Sequence, residues 1–245
     1  MFKHYPLIVA ANRDEHYDRP SAPPTRWSTD PKIIAGKDLL AGGTWLGVNE
    51  HGVLAGILNR RLNSEKDAHV QTRSRGLFCL DLLSRPSAAQ AREFTQWQEE
   101  TYQPFTALFA DRGEAWVAYN IGGEVRTQRL NEGLHVLSSV PDFDIRSEKI
   151  DHAYVRFAQF VDDSGLSSPD KTAMVRSLRS VLGDHTLGND SNDLKQAICV
   201  HGDTSGTVSS TIIIFSETER RFYVFDCPGP PCQSAFGEGL GLDLR

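Results

Sequence analysis

Apolar residues along this chain come in short runs, each closed by glycine, proline or a polar cluster. Residues 6–11 read Pro-Leu-Ile-Val-Ala-Ala, a short buried strand by length and composition. Residues 32–35 and 44–49 are further apolar runs, and 53–59 follows a His51-Gly52 turn. The polar, charged stretch 60–75 reads as an exposed loop. Leu77, Leu80 and Leu83 then recur at helical spacing within 76–84. Ser87 is suited to cap a second helix running to Glu100.

The middle of the chain returns to strands. Residues 105–110, 115–120, 124–129 and 134–138 are separated by Asp111-Arg112-Gly113, Gly122-Gly123 and Asn131-Glu132-Gly133. That punctuation predicts an antiparallel meander. Two helices follow. Ile150, Ala153, Tyr154, Phe157 and Val161 share one face of the first, and Ser168-Pro169 reads as the cap and first turn of the second. Residues 197–201, 207–215 and 222–226 are three closing strands, and the Pro/Gly-rich tail from about Cys227 reads as irregular. Blocks of strands and helices in this order predict an α+β fold with helix-covered sheets.

Composition narrows the classes. The 245 residues suit one domain spanning the whole chain. Hydrophobic content of 39% and charged content of 24% are ordinary for a globular protein. A net charge of −6 argues against a nucleic-acid binder, which needs a basic face. No apolar run approaches the roughly 18 residues of a transmembrane helix. The start is not basic then apolar, so no secretory signal is expected. Four cysteines in a chain this long do not make a disulfide framework, which points to a reducing, cytoplasmic setting.

The candidate chemistry begins at Asn12-Arg13-Asp14-Glu15, where the first apolar run stops. Buried charges survive only when paired or at a solvated mouth. The strand is therefore expected to end there, at a polar site or a structural knot of Arg13 with Asp14 or Glu15. In the first case Arg13 would orient a nucleophile or bind a ligand carboxylate through its planar fork. Asp38 has two readings, a partner for Arg13 across a site or the cap of a turn. Gly42-Gly43 lacks the phosphate-loop pattern and reads as a tight turn or a close backbone approach. Trp45 lines a ligand cavity or is an ordinary core aromatic.

The eight histidines form no His-Glu-x-x-His, and there is no Cys-x-x-Cys. Cys227 and Cys232 flank Pro228-Gly229-Pro230-Pro231, a weak zinc signal without a second pair. Cys79 falls in a predicted helix and reads as core. Strand alternation would put Cys199 and His201 on one face, yet a Cys–His nucleophile pair there lacks an identifiable orienting partner. There is no Cys-x-x-Cys-His motif for covalent haem attachment.

These residues resemble a known family. Asn12-Arg13-Asp14-Glu15 with Tyr17, Arg19 and Pro20 is similar to the opening signature of the NRDE family, also called the transport and Golgi organisation family. The block from Ala35-Gly36-Lys37-Asp38 through Gly42-Gly43-Thr44-Trp45-Leu46-Gly47-Val48 resembles its second signature. Asn59 and Ser74-Arg75-Gly76 continue the likeness, with weaker echoes at 133–138 and 206–211. The resemblance implies a four-layer αββα sandwich of mostly antiparallel sheets, like that of N-terminal-nucleophile hydrolases. It implies ligand-binding roles for Asn12, Arg13, Asp14, Glu15, Asp38, Thr44, Trp45 and Asn59.

In such hydrolases an N-terminal Cys, Ser or Thr is the nucleophile, and its own α-amino group, with a pKa of ~7.7–8.0, is the base. Many family members begin Met-Cys, whereas this chain reads Met1-Phe2-Lys3. Ser139 stands where the family commonly has Asn, and Val208 where it commonly has Arg. In related bile-salt-type hydrolases those Asn and Arg residues support the tetrahedral intermediate or the nucleophile.

The leading expectation is binding or trafficking of a small apolar ligand, haem or lipid-like, on a hydrolase-like scaffold. No cofactor is evident from the residues, and haem enters only through the resemblance. The alternative is an amidohydrolase acting on non-peptide C–N bonds, with its cysteine upstream of Met1. A plain interaction domain is the third reading.

Overall fold

The computed structural model describes residues 2–60, 72–98, 100–120, 125–139, 147–163, 170–187 and 193–245. In chain order the first strands are β1 (Leu7–His16), β2 (Ser21–Trp27), β3 (Ile33–Asp38), β4 (Leu46–Asn49) and β5 (Leu54–Asn59). Two helices, α1 (Arg75–Leu83) and α2 (Ala88–Trp97), lead into β6 (Phe105–Ala110), β7 (Ala115–Asn120) and β8 (Val125–Leu130). Helices α3 (Glu148–Asp163) and α4 (Lys171–Leu182) precede β9 (Ser205–Ser216), β10 (Arg221–Cys227) and β11 (Leu240–Asp243). The chain divides into two compact units, one of residues 1–19, 133–137 and 146–243, the other of 20–132, 138–145 and 244–245.

The second unit holds a seven-stranded sheet ordered β2 to β8, in which each strand pairs antiparallel with the next. The predicted meander is thus present from β6 to β8. Asp111 closes its first turn by accepting from the backbone N–H of Gly113 and Glu114 through Oδ1, at 2.8 and 3.1 Å. Gly52 makes the β4–β5 turn at a φ of 97°, a value that suits glycine alone. The predicted strand β8 begins at Val125, and Gly122-Gly123 lies outside the described residues.

Helices α1 and α2 bury their apolar stripes on this sheet. Phe78, Cys79, Leu82, Leu83, Ala88 and Ala91 pack with Phe105, Ala107 and Phe109, the residues of one β6 face. The buried side of α1 is therefore the Phe78/Leu82 edge, while Leu77 and Leu80 are half-exposed. Ser87 caps α2 as expected, its Oγ accepting from Gln90 N at 3.2 Å, a contact worth about 1 kcal/mol.

The first unit holds a four-stranded antiparallel sheet ordered β1-β9-β10-β11. Helices α3 and α4 cover one face, where Ala153, Phe160, Met174, Leu178, Val181 and Leu182 meet Ile212 and Ile214. Each such aliphatic side chain contributes about 1.5–3 kcal/mol of burial. Tyr154, expected on that face, is 47% exposed, and Phe160 occupies the core instead. Asp170 caps α4 through Thr172 N, and Ser168-Pro169 lies outside the described residues.

Four expectations need correction. β1 does not stop at Ala11 but runs through the polar signature to His16. Residues 21–27, given no element above, form β2; Pro23-Pro24 cannot donate to a ladder, and β2 is an edge strand with an irregularity between Ala22 and Thr25. Residues 134–138 and 197–201 are not strands; the second stretch makes only the isolated bridge His201–Gly206. The tail is not irregular throughout, since β11 pairs with β10. Among the described residues, no helix is long and apolar enough to cross a membrane.

Candidate functional site

Because β1 is continuous through the signature, its side chains alternate between the two faces of the sheet. Ile8 and Ala10 pack into the helix-side core, and Asn12 and Asp14 continue that row. Asn12 Nδ2 donates to the carbonyls of Leu182 and Ile198, both at 2.9 Å, while its Oδ1 accepts from Ser210 Oγ at 2.6 Å. Leu182 is the last residue of α4, where helix carbonyls lack intrahelical partners, so Asn12 is its side-chain cap. Asp14 accepts from Thr207 Oγ1 at 2.7 Å and meets Lys149 Nζ of α3 at 3.3 Å.

Arg13 and Glu15 turn to the opposite face. Arg13 Nη2 lies 3.9 Å from Glu15 Oε2, and Arg19 Nε reaches the same oxygen at 3.6 Å. The Arg13 side chain is only 9% exposed. The structural knot read from the sequence is thus present between Arg13 and Glu15. The β1–β9 register slips between Arg13 and Asp14, which pair with Ser209 and Thr207, leaving Val208 as the extra residue of a bulge.

The second block lies in the other unit. Asp38 Oδ1 accepts from Leu40 N and Ala41 N at 3.0 and 3.3 Å, and its backbone bonds Gly42 and Gly43, so it caps the turn. Gly42 takes a φ of 77° in that turn. A Cβ on Gly43 would stand 2.2 Å from the carbonyl carbon of Gly76, and Thr44 N donates to Gly76 O at 3.0 Å. The close backbone approach is therefore real, and it joins the Gly-Gly-Thr and Ser-Arg-Gly segments. Thr44 is buried, with Oγ1 donating to Leu46 O at 3.3 Å. Trp45 is half-buried, its ring set against Gly36, and Asn59 ends β5 exposed. The eight candidates fall four in each unit.

A family model described as Transport and Golgi organisation 2 matches residues 2–225. The chain belongs to that family. The mouse Transport and Golgi organization 2 homolog is 29% identical over 233 residues, covering 86% of this chain and 82% of the mouse protein. Two solved structures show the fold. Penicillin V acylase from Agrobacterium tumefaciens aligns with a TM-score of 0.61 at 12% identity, covering 97% of this chain and 95% of that one. A single-residue variant of conjugated bile acid hydrolase from Clostridium perfringens aligns with a TM-score of 0.58 at 13% identity, covering 97% and 94%. The chain thus has an α+β fold like that of N-terminal-nucleophile hydrolases, as the resemblance of its signatures implies.

Other titratable groups of this family member were less legible. Cys79 is fully buried, as expected, and burial drives its thiol pKa far up. Burial first, then the neighbouring Cys232, pushes Cys199 up to about 12, and burial raises Cys227 as well. None of these three is an activated thiolate. Cys199 and His201 do meet, Sγ to Nε2 at 3.6 Å, although the expected strand is absent. Cys232 and His185 join them, two residues that sequence spacing gave no reason to connect. Asp226 was also missed. Burial raises its pKa to about 6 against a bond from Thr211, and its buried Oδ1 has no hydrogen-bond partner among the described residues.

Proposed function

We propose that this chain binds a small apolar ligand bearing an acidic group, of the haem or lipid class, on its hydrolase-like scaffold. The carrying observation is the division of labour along β1. Asn12 and Asp14 are spent on fastening α4, α3 and β9, whereas Arg13 turns to the other face of the sheet. By alternation that face also carries Val9, Ala11, Ile213 and Val224, with Thr211 and Asp226. The Arg13 guanidinium, nearly buried beside these residues and 3.9 Å from Glu15, would take the carboxylate of an amphipathic acid as a further partner. The raised thiols of Cys79, Cys199 and Cys227 speak against nucleophilic catalysis by those residues. Four free cysteines fit a reducing, cytoplasmic setting.

The test is titration of the purified chain with haem, followed in the visible spectrum, and with a long-chain fatty acid, followed by native mass measurement. Saturable one-to-one binding of either is expected, weakened about tenfold by Arg13→Leu through loss of a charge-assisted contact. No saturable binding of either probe would overturn this reading.

A second reading is favoured by the likeness to penicillin V acylase and conjugated bile acid hydrolase. It is hydrolysis of a non-peptide C–N bond by an N-terminal nucleophile. N-terminal sequencing of the native protein, with an assay of amine release from penicillin V and a conjugated bile acid, decides it. A native N-terminus without Cys, Ser or Thr and no amine release would remove it.

A further inference from the structure

We propose that Cys199, Cys232, His201 and His185 bind a thiophilic divalent cation of the zinc class. Cys199 Sγ lies 3.7 Å from Cys232 Sγ and 3.6 Å from His201 Nε2, and His201 Nε2 lies 3.2 Å from Cys232 Sγ. A tetrahedral zinc ion with Zn–S near ~2.3 Å and Zn–N near ~2.05 Å sets ligand edges of about 3.8 Å for S···S and about 3.6 Å for S···N. The two edges at Cys199 match these lengths, and the 3.2 Å edge from His201 to Cys232 is shorter, so loading would draw that pair slightly apart. We assign the fourth corner to His185, which has a ring nitrogen within 4.8 Å of the ligand atoms of His201 and Cys232.

The ligands come from three segments of the first unit, and backbone contacts hold each in place. His185 follows α4, where Asp184 O accepts from Cys199 N at 2.8 Å. Val200, between Cys199 and His201, is locked to Thr207 by two bonds of 2.9 Å. Cys232 sits in the turn after β10, in which Pro230 O accepts from Gln233 N and Ser234 N. Arg179 Nε donates to Pro231 O at 3.0 Å, and Gly183 lets the backbone of Cys232 come close to α4. A preset cage loses little entropy on loading, and two thiolates with two imidazoles select zinc over magnesium or calcium. With four protein ligands the ion would be structural, tying the end of α4 to the β9 entry and the β10 exit.

The experiment uses the full chain, reduced and desalted, equilibrated with micromolar zinc and separated from free metal before elemental analysis. About one zinc per chain is expected for a single closed site. Cobalt loading should give the visible absorption of a tetrahedral thiolate complex. Cys232→Ser should abolish retention, and His185→Ala should weaken it about tenfold or more. Should Cys232→Ser fail to fold, alkylation of the unaltered chain gives the same answer, since zinc should shield Cys232 and a chelator should expose it. A reduced chain that elutes without zinc, or a Cys232→Ser variant that keeps it, would overturn the proposal. So would recovery of a Cys199–Cys232 disulfide whose reduction restores no metal uptake.

Discussion

In β1 the signature acts through side chains, with Asn12 on two carbonyls and Asp14 on Thr207 and Lys149. In the 36–44 block it acts through side chains that are missing, with Gly43 against Gly76 and Gly36 against the Trp45 ring. The first arrangement needs particular donors and acceptors and tolerates small shifts in position. The second needs empty volume, and an added atom meets the backbone of Gly76 at Gly43 or the Trp45 ring at Gly36. A family signature is thus a mixture of two demands, and only the first looks like chemistry from the sequence. Arg13 stands apart from both, since it turns to the other sheet face, where Glu15 is its ion-pair partner.

Gly43→Ala should break the comparison most sharply. Its Cβ would fall 2.2 Å from backbone carbon, which cannot swing aside, so a loss of about 3 kcal/mol is expected in urea unfolding. Gly42→Ala, with open space but a φ of 77°, should cost only about 1 kcal/mol. Equal losses at the two positions would refute the packing account.

Asn12→Ala removes three hydrogen bonds and strands the carbonyls of Leu182 and Ile198, for an expected loss of about 2 kcal/mol. The same urea series measures it, and a change below about 0.5 kcal/mol would show that water replaces the amide.

The smallest effect concerns Asp226. Its raised pKa means that the folded chain holds the proton more tightly than the unfolded one. Stability should therefore fall as pH rises from about 4 through about 6 and level off above. Asp226→Asn should flatten that slope and gain about 1 kcal/mol at pH 7.5, after allowing for the part of the carboxyl that water screens. Melting temperatures across pH 4–8 would show it, and an unchanged slope would acquit Asp226.

How much of this was legible depended on whether the signal was local. β6 and β7 were read to the residue because Asp111-Arg112-Gly113 marks their turn. The turn role of Asp38 was one of two readings its neighbours allowed, and the burial of Cys79 was visible from its place in α1. β1 was cut short because Asn12 to Glu15 are polar, and the Leu182 and Ile198 carbonyls that make Asn12 welcome lie far along the chain. Residues 134–138 had strand composition but no strand partner, which no local pattern reports. The meeting of His185 with Cys232, and the burial of Asp226, follow from tertiary placement alone.

The pairing of β1 with β9 has a consequence for the order of assembly. Leu7 faces Phe215 and His16 faces Ser205, so a strand made early in synthesis waits for one made late. The residues of β2 to β8 can meanwhile pair in sequence as they emerge. During that interval Leu7-Ile8-Val9-Ala10-Ala11 is an unpaired apolar segment, open to the wrong partner. Damage near β9 should accordingly appear first as lost yield of nascent chain, before any change in the melting of the protein that does mature.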